Sequence, residues 1–321
     1  MMTGVTQTVE PDPGWVYLHA ARYAAHKQMA HLKRVQDDIL WRKLVRLSTP
    51  EVVFKQDESR QLEHDRVSGR IGRDIMRNSF PEDRIYSEEG GFSGPSDARY
   101  TDAQDELDGS TAFDESMPTF CVAHGRYDNN ERRVVAALLM DVRDHAVMYK
   151  EGIGTFVELY PDKGRMLVPC HAEPVADFKK AGIYVDVSRH FSKTLLDGGK
   201  KEIITLDQKL ALLTGINTQA KAFRIPGSNA LQQLLVSMVP DGAAGGYMTA
   251  PGGPQDTIGA ACLVGAGCTV RAFTVDGHKL IEVDPLDIFQ PDGNGYDLLA
   301  YGRDAKTAGK LVDILAGAYK R

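Results

Sequence analysis

One acidic stretch, residues 105–113, combines side chains that bind hard metal ions with a turn that suits anions. It reads Asp-Glu-Leu-Asp-Gly-Ser-Thr-Ala-Phe. If the chain turns there as it leaves a strand, the carboxylates of Asp105 and Asp108 and the carbonyl of Leu107 face one point. Oxygen ligands of this kind suit Mg²⁺. The stretch therefore predicts a magnesium site, although Asp-Gly-Ser is also ordinary turn chemistry, and a loop that caps a helix is the alternative.

The residues after the second aspartate suit a phosphate group. Gly109 allows a tight turn or the close approach of a ligand. We expect Ser110 and Thr111 to cap a short helix, and the free backbone N–H groups at a helix start bind phosphate well. The stretch thus offers metal ligands and an anion cradle side by side.

Two further acidic segments are weaker signals. Glu88 and Glu89 follow a short β-rich run and precede two glycines, a pattern that also describes a solvated pair of surface acids. Asp256 precedes a small-residue run that predicts a helix to about residue 264, for which a plain N-cap is the simpler interpretation. Neither segment indicates a function by itself.

Composition is that of an ordinary globular protein and disfavours some partners. The chain has 321 residues, of which 42% are hydrophobic and 26% charged, and a formal net charge of −6. A mildly acidic chain has no general attraction for nucleic acid or anionic lipid, so a phosphate ligand needs local groups or a metal. Residues 1–14 lack the features of a signal peptide, and no stretch has the roughly 20 apolar residues of a membrane span. We expect a cytoplasmic protein that binds neither nucleic acid polymers nor membranes.

Other common enzyme signatures are incomplete. The segment 265–267 reads Gly-Ala-Gly, lacks the third glycine of a dinucleotide fingerprint and follows a predicted helix rather than a strand. No histidine lies at zinc-ligand spacing from a cysteine, and HExxH is absent. Four reduced, mostly buried thiols are expected, at Cys121, Cys170, Cys262 and Cys268.

The acidic residues must be positioned by an α/β framework. Periodicity predicts a long helix over residues 15–47, a short strand near 51–55 and a second helix over 57–77. The buried stripe of the second helix is expected to comprise Leu62, Val67, Ile71 and Ile75. A strand is predicted at 84–87, and the Gly- and Ser-rich residues 92–101 predict a mobile loop.

The remaining chain divides into two patterns. Short β-rich runs predict an antiparallel sheet, with strands at 120–125, 134–141, 146–151 and 155–159. Past about residue 174, strands and helices alternate, which favours an α/β second half; they are predicted at 183–187, 206–213, 222–225 and 229–239. We therefore expect an α+β domain over 1–174 and an α/β domain over 175–321.

Taken in order, the motifs resemble those of the inositol monophosphatase superfamily, which also contains fructose-1,6-bisphosphatases and 3'(2'),5'-bisphosphate nucleotidases. The family pattern is a Glu-Glu pair, then Asp-Pro-Ile/Leu-Asp-Gly-Thr/Ser-x-x-Phe, then Trp-Asp-x-Ala-Ala-Gly before an apolar helix and a glycine turn. The corresponding segments here are 87–90, 105–113 and 255–260, with 265–267 after the helix. Segment 224–228 is similar to the family's Arg-x-x-Gly-Ser/Thr, and the match runs from about residue 15 to about residue 275.

The resemblance implies a layered αβαβα sandwich and a magnesium-dependent, lithium-sensitive phosphomonoesterase, often a homodimer. Two or three Mg²⁺ ions would be held by Glu88, Asp105, the Leu107 carbonyl, Asp108 and Asp256, with Asp57 as a further candidate acid. Glu88 and Ser110 would orient the attacking water. The phosphoryl oxygens would be cradled by Gly109, Ser110 and Thr111. The wall that faces the leaving alcohol would be formed by Arg224, Gly227 and Ser228.

This chain departs from the family pattern on its substrate side. The usual proline between the aspartates is Glu106, and the usual tryptophan before the last aspartate is Gln255. Thr249 stands where many inositol phosphatases carry a glutamate that binds sugar hydroxyls. Sugar, inositol and nucleotide phosphates therefore all stay open as substrates. The alternative function is a catalytically weak family member that binds a phosphate ligand or a partner without turnover.

Overall fold

The computed structural model describes residues 12–44, 52–54, 60–88, 90–159, 166–186, 205–238, 243–248, 253–276, 279–285 and 296–319. Seven α-helices lie within these ranges: α1 (Pro13–Leu44), α2 (Glu63–Ser79), α3 (Ser110–Asp114), α4 (Leu206–Gln219), α5 (Asn229–Met238), α6 (Ile258–Gly265) and α7 (Ala305–Tyr319). Asp57 and Thr249 lie outside the described residues.

Ten strands precede residue 170: β1 (Val52–Phe54), β2 (Arg60–Leu62), β3 (Arg84–Ser87), β4 (Gly91–Ser93), β5 (Tyr100–Asp108), β6 (Cys121–Asp128), β7 (Arg133–Asp141), β8 (Ala146–Lys150), β9 (Gly154–Leu159) and β10 (Met166–Pro169). Six follow: β11 (Gly182–Asp186), β12 (Ala222–Arg224), β13 (Gly245–Met248), β14 (Thr269–Asp276), β15 (Lys279–Val283) and β16 (Leu298–Gly302).

The strands form two large sheets and a small hairpin of β1 and β2. The first sheet has eight strands in the order β10-β9-β8-β7-β6-β5-β3-β4. Its neighbours are antiparallel except for β3 and β5, which run parallel. The antiparallel sheet predicted over 120–159 is thus confirmed. The second sheet has six strands in the order β12-β11-β13-β16-β14-β15, with β11 parallel to both of its neighbours.

Both sheets are buried on two faces, and this burial creates five layers. Successive residues of β7 alternate, since Leu138 packs in the core beneath α1 and Leu139 packs in the core that includes α5 and α6. In β16, Leu299 faces the core shared with α6, and Leu298 faces the core of α4 and α7. The order is therefore α1 and α2, first sheet, α5 and α6, second sheet, α4 and α7. This confirms the predicted αβαβα sandwich.

The second helix differs from its prediction. Residues 60–62 belong to β2, and α2 begins at Glu63. The predicted stripe residues Val67, Ile71 and Ile75 are only half-buried; the buried residues of α2 are Asp65, Ser68, Gly69, Gly72 and Met76. The physical reason is close approach, because a Cβ added to Gly69 would lie 2.7 Å from Cγ of Glu106 in β5. Hydrophobic periodicity does not detect a face built from glycine and serine.

Three further elements differ from those predicted from the sequence. The predicted loop at 92–101 contains β4 and the start of β5. Helix α4 continues to Gln219, six residues past its predicted end. Residues 245–248, for which no element was predicted, form β13, a fully buried strand. None of the described helices is both long and apolar enough to cross a membrane.

Candidate active site

Asp105 and Asp108 lie at the end of β5 and share one face of the sheet. In a regular strand, residues three apart point to opposite faces. Asp105 lies opposite Ala123 of β6. Asp108 lies opposite Cys121, only two residues along, so the register shifts between the two aspartates. The extra residue forms a β-bulge, which returns both carboxylates to the same side. The sequence predicted a turn after the strand here; the strand instead contains a bulge and continues to Asp108.

The surroundings of the bulge identify its two sides. Leu107 packs in the core beneath α1 and α2, and Glu106 lies against Gly69 of α2. Asp108 points to the other side, where it contacts Ser228 ahead of α5. Both aspartates are buried, with 4% and 6% of their surface exposed. Buried carboxylates need compensation by hydrogen bonds, cations or a metal.

The N-terminus of α5 orients the carboxylate of Asp108. Its Oδ2 accepts a hydrogen bond from Ser228 Oγ at 2.6 Å and another from the backbone N–H of Ala230. Ser228 Oγ in turn accepts from the N–H of Leu231 at 3.1 Å, as an N-cap residue does. The positive end of a helix favours an anion at this position. Sequence reasoning assigned Ser228 to the alcohol wall and did not detect this contact, because it joins residues 120 positions apart.

Gly109 makes the turn that follows. Its φ of 97° and ψ of 33° are left-handed, and it occupies the N-cap position of α3. An added Cβ would lie 2.9 Å from the carbonyl oxygen of Thr119 and 3.0 Å from Cβ of Ser228, so only glycine fits. The expected capping by Ser110 and Thr111 is wrong. They are the first residues of α3, and no side chain caps it.

Glu88 is half-buried in the turn after β3. The buried Ser87 holds this turn, since its Oγ accepts hydrogen bonds from the N–H of Gly90 at 2.9 Å and from Nη1 of Arg73 at 2.5 Å. Arg73 Nη1 also lies 3.8 Å from Oε1 of Glu106. Sequence reasoning did not find Arg73 or Ser87. The available signal was the pair of glycines inside α2, which marks close backbone approach.

Asp256 lies in a single turn of 3-10 helix, Pro254–Thr257, that leads into α6. The helical path thus begins at Pro254, two residues before Asp256. This turn packs against β3, β5 and β6. The backbone of Asp256 is thereby brought to the strands that carry Glu88, Asp105 and Asp108; its side chain lies outside the described part of the structure.

The charges of these groups affect one another. Burial raises the pKa of Glu106 to about 7; the Ser87 hydroxyl and Arg73 oppose the shift, and the charge of Glu88 adds to it. Burial also raises the pKa of the Cys121 thiol, and the carboxylates nearby, first Asp108, raise it further. Cys121 therefore stays a neutral thiol. All four cysteines are free and buried, as predicted.

The predicted alcohol wall is brought together only in part. Gly227 has a positive φ of 82°, and its carbonyl oxygen would lie 3.3 Å from a Cβ added to Gly109. Arg224 ends the edge strand β12 and is exposed. Among the described residues, Arg224 makes no hydrogen bond or ion pair with Asp105 or Asp108.

The oxygen atoms at the bulge are of the chemical type that binds a hard divalent cation. Asp105, Asp108 and the Leu107 carbonyl supply oxygen atoms at one bulge, and hydrogen bonds fix the orientation of the Asp108 carboxylate, as such bonds do around metal sites. Among the described residues, no three His, Cys, Asp or Glu side chains form a group able to hold a metal ion. A complete site therefore needs a further ligand, and the resemblance assigns that place to Asp256.

Known structures share this architecture, although the sequence itself matches no family model and no curated protein. The extragenic suppressor protein SuhB from Bartonella henselae is 17% identical, with a TM-score of 0.69 over 93% of this chain and 97% of that one. Inositol monophosphatase from Anabaena (Nostoc) sp. PCC 7120 is 20% identical, with a TM-score of 0.62 over 95% and 96%. The inositol monophosphatase from Zymomonas mobilis is 13% identical, with a TM-score of 0.65 over 95% and 99%.

The molecule is thus a five-layer αβαβα sandwich with buried carboxylates at a strand bulge beside a helix N-terminus. The chain shares this fold with the solved inositol monophosphatase structures, as the resemblance of the motifs predicted. A shared fold does not by itself carry an activity, which has to be argued from the residues of the site.

Proposed function

We propose that the protein is a magnesium-dependent phosphomonoesterase that hydrolyses a small sugar, inositol or nucleotide phosphate. The observation that carries the proposal is the bulge of β5, because it directs Asp105 and Asp108 to the same side, beside the Gly109 turn. The neighbours support the class of substrate: one is an inositol monophosphatase, and another, SaIMPase-II, is 14% identical and was solved with bound 2'-AMP.

The proposed ligands of two or three Mg²⁺ ions are Glu88, Asp105, the Leu107 carbonyl, Asp108 and Asp256. When bound, magnesium would act as a Lewis acid that offsets the negative charge of the phosphoryl group and lowers the pKa of the water bound to it. Ser228 and Ala230 hold Asp108 so that its carboxylate is already oriented when the ion arrives. This preorganisation lowers the cost of assembling the site.

The remaining residues act on the substrate. Glu88 and the Ser110 hydroxyl would orient the attacking water through hydrogen bonds. The N–H groups of Ser110 and Thr111, at the start of α3, have no acceptor within the helix and donate to the phosphoryl oxygens. Gly109 lets the phosphate approach the backbone, and Arg224 is assigned to the departing alcohol.

A phosphate-release screen with sugar, inositol and nucleotide monophosphates tests the proposal. Release is expected with Mg²⁺, to be lost with EDTA and to be inhibited by Li⁺. Asp108→Asn is expected to lower kcat by more than about 100-fold, because loss of even an indirect partner of a metal ligand costs about 10–100-fold. Asp74→Asn, at an exposed position on α2, is the control and should keep full activity.

The screen also separates the two functions. If no phosphomonoester is hydrolysed while inorganic phosphate still binds in a Mg²⁺-dependent manner, the alternative function, phosphate binding without turnover, is correct. If Asp108→Asn keeps wild-type release, the activity belongs to a different site and the proposal fails.

A further inference from the structure

Three residues link α2, the Glu88 turn and the bulge of β5. Arg73 Nη1 donates to Ser87 Oγ at 2.5 Å and lies 3.8 Å from Glu106 Oε1. Ser87 Oγ also accepts from the N–H of Gly90, which closes the turn on the far side of Glu88. We call these residues, Arg73, Ser87 and Glu106, the α2 clamp.

The local backbone is shaped to admit the α2 clamp. A Cβ on Gly69 would lie 2.7 Å from Cγ and 2.8 Å from Oε1 of Glu106, so glycine at this position makes room for the carboxyl group. A Cβ on Gly90 would overlap the guanidinium of Arg73. Neither glycine is needed for a positive φ, since neither is among the residues with one. Both therefore serve close approach, Gly69 to Glu106 and Gly90 to Arg73.

The bulge explains why residue 106 tolerates such different side chains. Ladder pairing of β5 with β6 is interrupted between residues 105 and 108, and pairing with β3 ends at Gln104. Residue 106 therefore makes no ladder contact on either side, and a proline is accommodated at such a position. Here the position carries Glu106, which is fully buried and reaches Arg73 instead. Where the family pattern has a rigid ring, this chain has a buried carboxyl group that lies 3.8 Å from a guanidinium of the neighbouring helix.

We propose that the α2 clamp is a positioning device that ties the Glu88 turn to the bulge of β5, so that the magnesium affinity of the proposed site depends on Arg73. The inference rests on the proposed magnesium site but not on turnover. Arg73 bonds to the residue before Glu88 and contacts the residue after Asp105, so it spans both ligand segments. Arg73 and Ser87 are positioning residues, not ligands.

Calorimetric titration with Mg²⁺ alone tests the proposal. Arg73→Gln is expected to raise the Kd for Mg²⁺ about tenfold, at the lower end of the effect of residues that orient metal ligands. If the substitution acted only by removing a charge, the Kd for Mg²⁺ would fall, because loss of a nearby positive charge strengthens the binding of a cation. A weaker affinity of Arg73→Gln for Mg²⁺ would therefore show that Arg73 acts by positioning the ligand segments. Arg73→Lys keeps the charge but not the forked donor, and is expected to restore part of the affinity.

A second variant and a local measurement make the test independent of folding. Ser87→Ala removes the acceptor with a minimal change of volume and is expected to weaken Mg²⁺ binding as Arg73→Gln does. The double variant should be no weaker than the stronger single one, because both changes break one unit. Hydrogen exchange of peptides covering residues 84–93 should rise in each variant. Arg70→Gln removes the same charge from an exposed position of α2 and should bind Mg²⁺ as the wild type does.

The proposal is overturned if Arg73→Gln and Ser87→Ala both bind Mg²⁺ with wild-type or tighter affinity while exchange over 84–93 is unchanged. If Arg73→Gln does not fold, Ser87→Ala alone decides. Failure of the proposed function looks different: wild-type protein then releases no phosphate, while the Mg²⁺ and exchange comparisons still give their result. Where release is observed, the α2 clamp variants should lower kcat at saturating substrate and leave KM unchanged.

Discussion

At the scale of single residues, the carboxylate of Asp108 shows how the fold orients a candidate metal ligand. It lies at the N-terminus of α5, where a side-chain hydroxyl and a backbone N–H both donate to one of its oxygens. The helix favours a negative charge there, and its capping residue is also the residue that holds the aspartate. Helix stability and ligand orientation are therefore coupled through Ser228.

Ser228→Ala tests this coupling. It removes a donor to Asp108 and an acceptor for Leu231, so we expect about 0.5–2 kcal/mol lower stability and about 10–100-fold weaker Mg²⁺ binding. Ser228→Thr keeps the hydroxyl and serves as the matched control. Urea unfolding and calorimetry measure the two effects. Wild-type Mg²⁺ affinity in Ser228→Ala would show that Asp108 needs no such support.

A second buried group of charges lies away from the candidate site. Arg126 is buried and donates a hydrogen bond to Asp83. Its Nε lies 3.7 Å from Oδ1 of Asp102. Its guanidinium also faces three aromatic rings, those of Tyr17, Phe80 and Tyr100. Two carboxylates thus share one cation. Burial raises the pKa of Asp102 well above its ordinary value, and Arg126 only partly offsets this.

Asp102→Asn should therefore change how stability depends on pH. The native pKa of Asp102 exceeds the unfolded value of about 3.9, so the native state holds a proton that the unfolded state releases. That stabilisation is complete below about pH 4 and is lost as pH rises through the native pKa. The Tm difference between variant and wild type should be more positive at pH 7 than at pH 4. Equal differences at both pH values would contradict the shift; Asp74→Asn is the control.

At the scale of elements, glycine decides how closely α2 approaches the first sheet. A Cβ on Gly72 would lie 2.5 Å from Oε1 of Gln104 and 2.5 Å from Nε2 of Gln28. Gln28 is itself fixed, since it bonds to His124 at 2.7 Å and to the Ser68 carbonyl at 3.1 Å. The contact between α1, α2 and β5 is thus a close-packed polar layer, which keeps α2 near the bulge.

Gly72→Ala and Gly309→Ala should have opposite effects. Alanine is the better helix former by about 1 kcal/mol, and a Cβ on Gly309 of α7 meets nothing within 4 Å. Gly309→Ala is therefore expected to stabilise the protein by about 0.5–1 kcal/mol. At Gly72 the added atom overpacks the polar layer, and a net loss of about 1–3 kcal/mol is expected. Urea unfolding measures both; a stabilised Gly72→Ala would show that the layer yields easily.

At the scale of the whole molecule, the candidate ligands come from different layers. Glu88, Asp105 and Asp108 lie on or beside strands of the first sheet, whereas the turn of Asp256 leads into a helix of the middle layer. That turn packs on β3, β5 and β6, and α5 reaches Asp108 from the same layer. A metal held by both layers would join them.

Removal of the metal should therefore lower the thermal stability and increase local hydrogen exchange. A ligand at about 100 times its Kd stabilises the native state by about 2.7 kcal/mol, so we expect the Tm to rise by several degrees with saturating Mg²⁺ and to fall with EDTA. Hydrogen exchange in peptides that contain Glu88 or Asp256 should rise in the metal-free protein. Asp108→Asn should abolish the Mg²⁺-dependent shift. A Tm that is the same with Mg²⁺ and with EDTA would contradict a shared site.

The sequence by itself determined the candidate ligands and most of the elements near them. Strands such as β7 and β8 were predicted almost to the residue, since β-rich runs between turn residues are a local property. The order of the acidic motifs predicted the layered fold through their resemblance to the inositol monophosphatase family, and motif order is a property of the sequence alone.

Tertiary structure decided how those residues face one another. Residues three apart on a strand point to opposite sides, and only the pairing of β5 with β6 creates the bulge that unites Asp105 with Asp108. The polar buried face of α2 and the bond between Ser228 and Asp108 likewise depend on partners distant in sequence. Local patterns report propensity and periodicity, whereas register, close approach and charge pairing exist only between segments that the fold brings together.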